Sequence, residues 1–300
     1  MAVQTIAILM PGDMGHGCAI AFRENGFRVV TTLAGRSART RGLAKTARVE
    51  DLGSFEAVVT QADLVLSILP PESALAQAKI VADAMIATDR RPVYADCNAI
   101  SPSTTKRVGA EVARAGAVYI DGGIIGSNPV KAKGGTRLYV SGPDVSAAQE
   151  LDGKGFKVRA LGAEIGRASA MKMIYAGATK GTFSLHAAIL TAAQAHGLTD
   201  DYLAEIAESN PAMLTAMENK VPRIPLDAGR WLGEMNEIAA TLAEAGVTPK
   251  FHEGAADIMA LADRTPMAAE TRETVDEGRT LAQVLEMYVE ATRNRRDAAE

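Results

Sequence analysis

In the first half of the chain, apolar residues fall in short, almost unbroken runs separated by glycine, proline and polar clusters. Residues 5–10 form one such run and residues 27–33 another, the second rich in β-branched side chains. Between them stand Pro11, Gly12, Gly15 and Gly17, then a helical stretch at 19–25 that Gly26 ends. Strand, glycine turn, helix and strand within ~30 residues make a βαβ unit. Strand-like runs recur at 64–69, 93–96, 118–121 and 138–140, with helical periodicity at 74–87 and 103–115. This alternation predicts an α/β fold: a doubly wound, mostly parallel sheet of Rossmann type with helices on both faces.

Beyond about residue 166 the texture changes. Alanine and methionine rise, β-branched alternation stops, and Met171, Ile174, Ala178, Thr182, Leu185 and Ile189 follow one another at intervals of three or four. That spacing predicts one long amphipathic helix ending near Gly197. Shorter helical segments follow, punctuated by Pro211, Pro222, Pro225, Pro249 and Pro266, and a polar tail closes the chain at 293–300. The expected organisation is therefore a Rossmann domain over 1–163 and an all-α domain over 164–300 that begins with the long helix and serves substrate binding and dimerisation.

A length of 300 residues agrees with two domains, since it exceeds what one core usually serves. Only 4% of residues are aromatic, so alanine and leucine carry most of the packing. A net charge of −4 with interspersed signs offers no basic field for nucleic acid and no polybasic patch for a membrane, which leaves a small molecule as the expected partner. No apolar run reaches bilayer length, the opening residues lack the basic region of a signal peptide, and Cys18 and Cys97 form no Cys-x-x-Cys pair, so a cytoplasmic location is expected. His16, His186, His196 and His252 have no metal-ligand spacing with one another or with the cysteines, and no metal is expected. No Gly-x-Ser-x-Gly elbow supports a serine hydrolase.

The first turn carries the chemistry. A dinucleotide needs glycines there because the backbone must approach a pyrophosphate closely and the following helix must pack tightly, its N-terminus facing the phosphate charge. Met10-Pro11-Gly12-Asp13-Met14-Gly15 supplies the second and third glycines of Gly-x-Gly-x-x-Gly, with Met10 where the first belongs. Pro11, Gly12, Asp13, Met14 and Gly15 are thus the candidate pyrophosphate residues. At the end of the second strand, where NAD-dependent proteins place an acid for the ribose hydroxyls, Thr31-Thr32-Leu33-Ala34-Gly35 has none, and Arg36, Ser37, Arg39 and Arg41 follow. Missing acid and clustered arginine favour NADP over NAD, with Arg36 and Ser37 as donors to a 2′-phosphate.

Taken in order along nearly the whole chain, five segments resemble the β-hydroxyacid dehydrogenase and 6-phosphogluconate dehydrogenase superfamily: the glycine turn with Met14-Gly15; Ser67-Ile68-Leu69-Pro70-Pro71; Asp96-Cys97-Asn98-Ala99-Ile100-Ser101-Pro102; Tyr119-Ile120-Asp121-Gly122-Gly123-Ile124-Ile125-Gly126; and Gly166-Arg167-Ala168-Ser169-Ala170-Met171-Lys172. The pattern is most similar to a bacterial phosphogluconate-dehydrogenase-like branch. The resemblance implies that Leu69, Pro70 and Pro71 lie beside the nicotinamide ribose, that Asn98 stands between cofactor and substrate, that Gly122 and Gly123 belong to a substrate loop, and that Lys172 is the catalytic lysine. Three segments depart from the family pattern. Ile125, Gly126 and Ser127 occupy the places of a serine and two glycines, Tyr175 replaces an asparagine three residues beyond the lysine, and Gly233-Glu234 stands where the family has a Lys-Asp pair.

The implied activity is an NADP-dependent dehydrogenase or reductase acting on the CH–OH group of a small hydroxy acid or related alcohol or carbonyl compound. Lysine suits the proton transfer, because burial or a neighbouring cation brings its pKa toward neutrality. Lys172, Tyr175 and Thr179 share one helical stripe, whereas Lys180 lies roughly 80° round the helix. Tyr175 and Glu234 are the further candidates for the substrate pocket. An imine reductase on the same architecture and a catalytically silent NADPH-binding protein are the alternatives. A long amphipathic helix leaves apolar surface for a second copy to cover, so a homodimer is expected.

Overall fold

The computed structural model describes residues 2–133 and 135–297. It divides into two compact units, Met1–Met173 and Ile174–Glu300. The division falls inside the long helix, whereas the sequence puts it ahead of that helix, at 163/164.

The first unit holds an eight-stranded sheet. Its strands are β1 (Thr5–Ile8), β2 (Arg28–Thr31), β3 (Glu50–Asp51), β4 (Leu64–Ser67), β5 (Val93–Asp96), β6 (Tyr119–Ile125), β7 (Arg137–Ser141) and β8 (Lys157–Ala160), in the spatial order β3-β2-β1-β4-β5-β6-β7-β8. All neighbours are parallel except β6 and β7. Helices α1 (Asp13–Glu24), α2 (Ala38–Thr46), α3 (Phe55–Gln61), α4 (Ala74–Thr88), α5 (Pro102–Arg114), α6 (Pro129–Ala132) and α7 (Ser146–Gln149) connect them. Because β1 has β2 on one side and β4 on the other, the chain reverses its direction of travel across the sheet there. The carboxyl ends of β1 and β4 therefore flank the crevice in which doubly wound folds bind ligands.

Burial on both faces explains the unbroken apolar runs. Ile6 and Ile8 point into one core with Cys18, Phe22, Leu64, Leu66 and Phe156. Ala7 and Leu9 point into the other, with Val58, Val65, Val81, Met85, Tyr94 and Val112. The segment after β6 is braced against α1: Asn128, which caps α6, donates through Nδ2 to the Asp13 carbonyl at 3.1 Å, and a Cβ on Gly17 would meet its side chain at 2.5 Å.

The long helix α8 (Arg167–Ala195) is followed by α9 (Thr199–Ser209), α10 (Pro211–Lys220), α11 (Ala228–Glu244), α12 (Lys250–Asp263) and α13 (Leu281–Asp297), so the described residues beyond α8 are helical or in turns. Of the polar tail, 293–297 belong to α13 and 298–300 lie outside the described residues. The α8 stripe of Ile174, Ala178, Thr182, Leu185 and Ile189 is exposed, while Met173, Ala176, Ala187 and Leu190 on another face are buried.

Candidate active site

The glycine turn separates two requirements. A Cβ on Gly15 would collide with the Met10 carbonyl oxygen and approach Ile8 Cγ2 at 3.0 Å, so this glycine is needed for α1 to lie on β1. A Cβ on Gly12 would meet only Met10 Cε, at an ordinary 3.7 Å. Nothing inside the protein demands a glycine at position 12, and what its absent side chain leaves open is the approach to the start of α1, which no side chain caps. Met10 keeps out of the left-handed region, so the missing first glycine costs no backbone strain. This cradle fits a pyrophosphate held by backbone N–H groups and the helix dipole.

Arg36 does not extend into solvent. Its Nη2 donates to the Leu9 carbonyl at 3.3 Å and to Gln77 Oε1 at 3.1 Å, which lays the guanidinium over the carboxyl end of β1. Its buried Nε and Gln77 Nε2 have no hydrogen-bond partner among the described residues. Ser37 caps α2, accepting from the Thr40 amide, so Arg39 and Arg41 lie in the first turn of a helix. Arg39 pairs with Asp13 at 2.7 Å across the glycine turn. The acid at the end of β3, Asp51, is exposed and accepts the Leu33 and Gly53 amides.

On the other side of the crevice, Asn98 ties two loops together. Its Oδ1 accepts the Leu69 amide, and its Nδ2 donates to Ser67 Oγ at 3.0 Å and to Asp96 Oδ2 at 2.9 Å, while its own amide donates to Asp96 Oδ1. Both amide hydrogens are spent within the protein, so Asn98 positions the Leu69-Pro70-Pro71 loop instead of offering a free donor. Burial pushes the Asp96 carboxyl up to about 7 against the pull of the Asn98 hydrogen bonds, and the Asp121 charge pushes the same way as burial. Burial and Asp96 hold the neighbouring Cys97 thiol well above its ordinary range, which makes it an inert core residue.

The glycines at 122 and 123, expected in a loop, lie within β6 and pair with Val140 and Tyr139. A Cβ on Gly122 would come within 2.7 Å of the Asp96 carbonyl oxygen and 2.9 Å of Cys97 Sγ; one on Gly123 would come within 2.8 Å of the Ala168 carbonyl oxygen and 2.9 Å of Lys172 Cβ. These residues are glycine because β5 and α8 press on β6 from either side.

What holds α8 there is Asp121, fully buried on β6. Its Oδ2 accepts from the Gly166, Ala168 and Ser169 amides and from Ser141 Oγ; its Oδ1 accepts from Ser169 Oγ and Thr105 Oγ1. A carboxylate at a helix N-terminus satisfies donors that the helix cannot and complements its dipole. Gly166, at φ +108°, turns the chain into this cap. With α8 so fixed, the Lys172 ammonium donates to the Ile124 carbonyl, beyond the point where β5 ends. Sequence reading missed Asp96 and Asp121 as functional positions. Their signal was present as an acid closing each of the strand-like runs 93–96 and 118–121, one with asparagine two residues on and the other followed by paired glycines.

Tyr175 and Glu234 belong to the second unit. Tyr175 is 44% exposed. Glu234 on α11 is buried between Lys180 and Arg230, the latter at 2.6 Å, with the Lys180 ammonium over the Trp231 ring at 5.1 Å. Its carboxylate is thus held by two cations, and Lys180 serves that pair.

Among the described residues, no helix is long and apolar enough to cross a membrane, and no group of three or more His, Cys, Asp and Glu could hold a metal ion.

Comparison with known proteins agrees with this geometry. Residues 5–152 match the family described as the NAD-binding domain of 6-phosphogluconate dehydrogenase, and residues 193–261 match a domain of unknown function, DUF1932. A solved protein of unknown function, MTH1747, described as structurally similar to 3-hydroxyacid dehydrogenases, is 29% identical, with a TM-score of 0.62 over 86% of this chain and 97% of that one. Mycobacterium tuberculosis 3-hydroxyisobutyrate dehydrogenase shares the fold at 19% identity and a TM-score of 0.65, over 95% and 99% of the two chains. An imine reductase from Streptomyces aurantiacus does so at 20% identity and a TM-score of 0.54, over 90% and 98%.

Proposed function

We propose, because residues 5–152 match the NAD-binding domain of 6-phosphogluconate dehydrogenase, that the chain is a cytoplasmic NADP-dependent oxidoreductase acting on a small hydroxy acid or a related alcohol or carbonyl compound. The observation that carries this reading is the Lys172 ammonium, set on the Ile124 carbonyl by a helix that Asp121 anchors. When bound, the cofactor supplies or accepts the hydride. Pro11 to Gly15 would hold its pyrophosphate, Arg36 and Ser37 its 2′-phosphate, and the Leu69-Pro70-Pro71 loop its nicotinamide ribose. Lys172 takes the hydroxyl proton in oxidation and returns it to the carbonyl oxygen in reduction. Gly123 lets that lysine approach and Gly122 lets β6 lie against the end of β5, with both glycines, and Tyr175 and Glu234 of the second unit, as the candidates for substrate contact.

An apolar Ile125 in place of the hydroxyl donor of the wider superfamily favours a second reading, reduction of an imine, whose substrate needs no carboxylate anchor. A silent NADPH-binding protein is the third. Calorimetric titration with NADPH and NADH, followed by turnover assays on hydroxy acids and imines, separates them. Tighter NADPH binding that falls when Arg36 becomes alanine supports the cofactor assignment, and binding without any turnover supports the silent protein. Exposure of Ile174, Leu185 and Ile189 at 41–59% supports a homodimer through α8, which light scattering at micromolar concentration tests.

A further inference from the structure

Asp96, the last residue of β5, and Asp121, the third residue of β6, sit side by side as direct register partners, and both are buried. Their environments differ sharply. Asp121 collects six hydrogen bonds from three separate segments. Asp96 collects two, both from Asn98. Two neighbouring carboxylates away from water do not share the burden of charge equally, and the one with fewer donors is the one that takes up a proton.

The Asn98 hydrogen bonds lead outward to the crevice. One face of its side chain rests on Asp96; the other holds the Leu69 amide and Ser67 Oγ on the loop that leaves β4. We propose that Asp96 is a positioning residue for this loop: ionised, it holds Asn98, and through Asn98 the Leu69 amide, in the arrangement that receives the dinucleotide, and on taking up a proton it lets them go. A protonated Oδ2 carries a hydrogen and is a much weaker acceptor for Asn98 Nδ2, so the contact that ties the amide to β5 weakens.

The groups facing Asp96 agree with a proton held there near neutrality. From β4 it meets only the uncharged Ser67 hydroxyl, by way of Asn98. From β6 come Asp121, which disfavours a second negative charge, and the phenol of Tyr119; from β5 itself come Tyr94 and Cys97, whose ionisation Asp96 opposes. On α5, Thr105 donates to Asp121, and on α8 the Lys172 charge is felt at Cys97. Burial pushes the Asp96 carboxyl up to about 7, so its ionisation changes where a cytoplasmic enzyme works.

This inference rests on the cofactor reading above, and two measurements keep the two apart. The first is NADPH affinity at pH 8 and pH 6 for the wild type and Asp96→Asn. If only the ionised form binds, the wild-type Kd weakens about tenfold more over that interval than the variant's, because the competent fraction falls about tenfold. The 2′-phosphate of the ligand titrates equally in both proteins and cancels. The second measurement is an NMR pH titration of the ligand-free protein, in which the Leu69 amide and Asn98 side-chain signals move with one midpoint near 7 and are flat in Asp96→Asn. Equal pH dependence of the two Kd values, or signals in the wild type that do not titrate between pH 6 and 8, overturns the proposal. If no nucleotide binds at any pH, the cofactor reading fails instead, and the Leu69 titration alone decides whether Asp96 governs the loop. It decides equally if Asp96→Asn does not fold.

Discussion

Gly123 and Lys172 cannot be separated by a side chain: the first carbon added to Gly123 would stand 2.9 Å from Lys172 Cβ. Strand β6 and helix α8 meet here through bare backbone, and the lysine is placed by that contact. Gly123→Ala should therefore displace the start of α8 by a few tenths of an ångström. We expect a loss of roughly 1–3 kcal/mol in stability, the usual cost of overpacking, and a kcat reduced at least about tenfold. NADPH affinity should stay within about threefold. Denaturant unfolding and steady-state kinetics check both, and an unchanged kcat would show that the lysine tolerates displacement.

Replacement of Lys172 by alanine should lower kcat by about 10²–10⁴, the range over which a positioned acid or base contributes. Nucleotide affinity should change little, because the ammonium contacts a protein carbonyl at the end of β6 and not the glycine turn. Lys172→Arg keeps the charge but holds its proton too firmly to exchange it, and should not restore the rate. Pre-steady-state turnover with a substrate found by screening reads this directly.

The two glycines of the turn should answer differently to the same methyl group. Gly15→Ala drives a carbon into the Met10 carbonyl and should lower the stability of the ligand-free protein by about 1–3 kcal/mol. Gly12→Ala meets no more than an ordinary contact, so stability should hold within about 1 kcal/mol while NADPH affinity falls at least about tenfold. Thermal unfolding paired with calorimetry distinguishes them, and a Gly12→Ala protein with full affinity would remove the pyrophosphate from this site.

Asp121→Ala should be among the most damaging single changes. It strands three amides and three hydroxyls in the interior and uncaps α8, for a loss of roughly 3–5 kcal/mol. Asp121→Asn should recover part of this, since it keeps one acceptor oxygen but turns a donor toward the helix amides. Melting temperatures ordered wild type, asparagine, alanine would bear out the anchoring role. Equal stability of all three would contradict it.

What the sequence reveals here is what is local. The glycine turn, the buried strands β1, β4 and β5 and the long helix announce themselves through spacing and run length, and Lys172 through likeness to a family. Strand β6 does so only over its first part, within the run 118–121, because Gly122 and Gly123 read as a loop unless one knows that a strand and a helix crowd that spot. Strands β3 and β8 are missed for another reason: one is two residues long, and the other is largely exposed and carries Lys157 and Arg159. The role of Asp121 is invisible because its donors come from α5, β7 and the start of α8, which only the fold assembles. Arg36 was identified as a cation, but its inward turn onto Leu9 and Gln77 depends on where α4 packs.

Asn128 has a consequence for how such a chain can change over generations. The stretch from Ile125 to Asn128 starts at the end of β6, where substrate recognition is expected, and finishes pinned to the first turn of α1. Its length is therefore dictated by the distance between two fixed points. An insertion would lift Asn128 off Asp13 and Gly17 and loosen the phosphate turn along with the loop. New specificity at Ile125, Gly126 and Ser127 is thus confined to exchanging side chains at constant length, and the two departures there, Ile125 and Ser127, are of that kind.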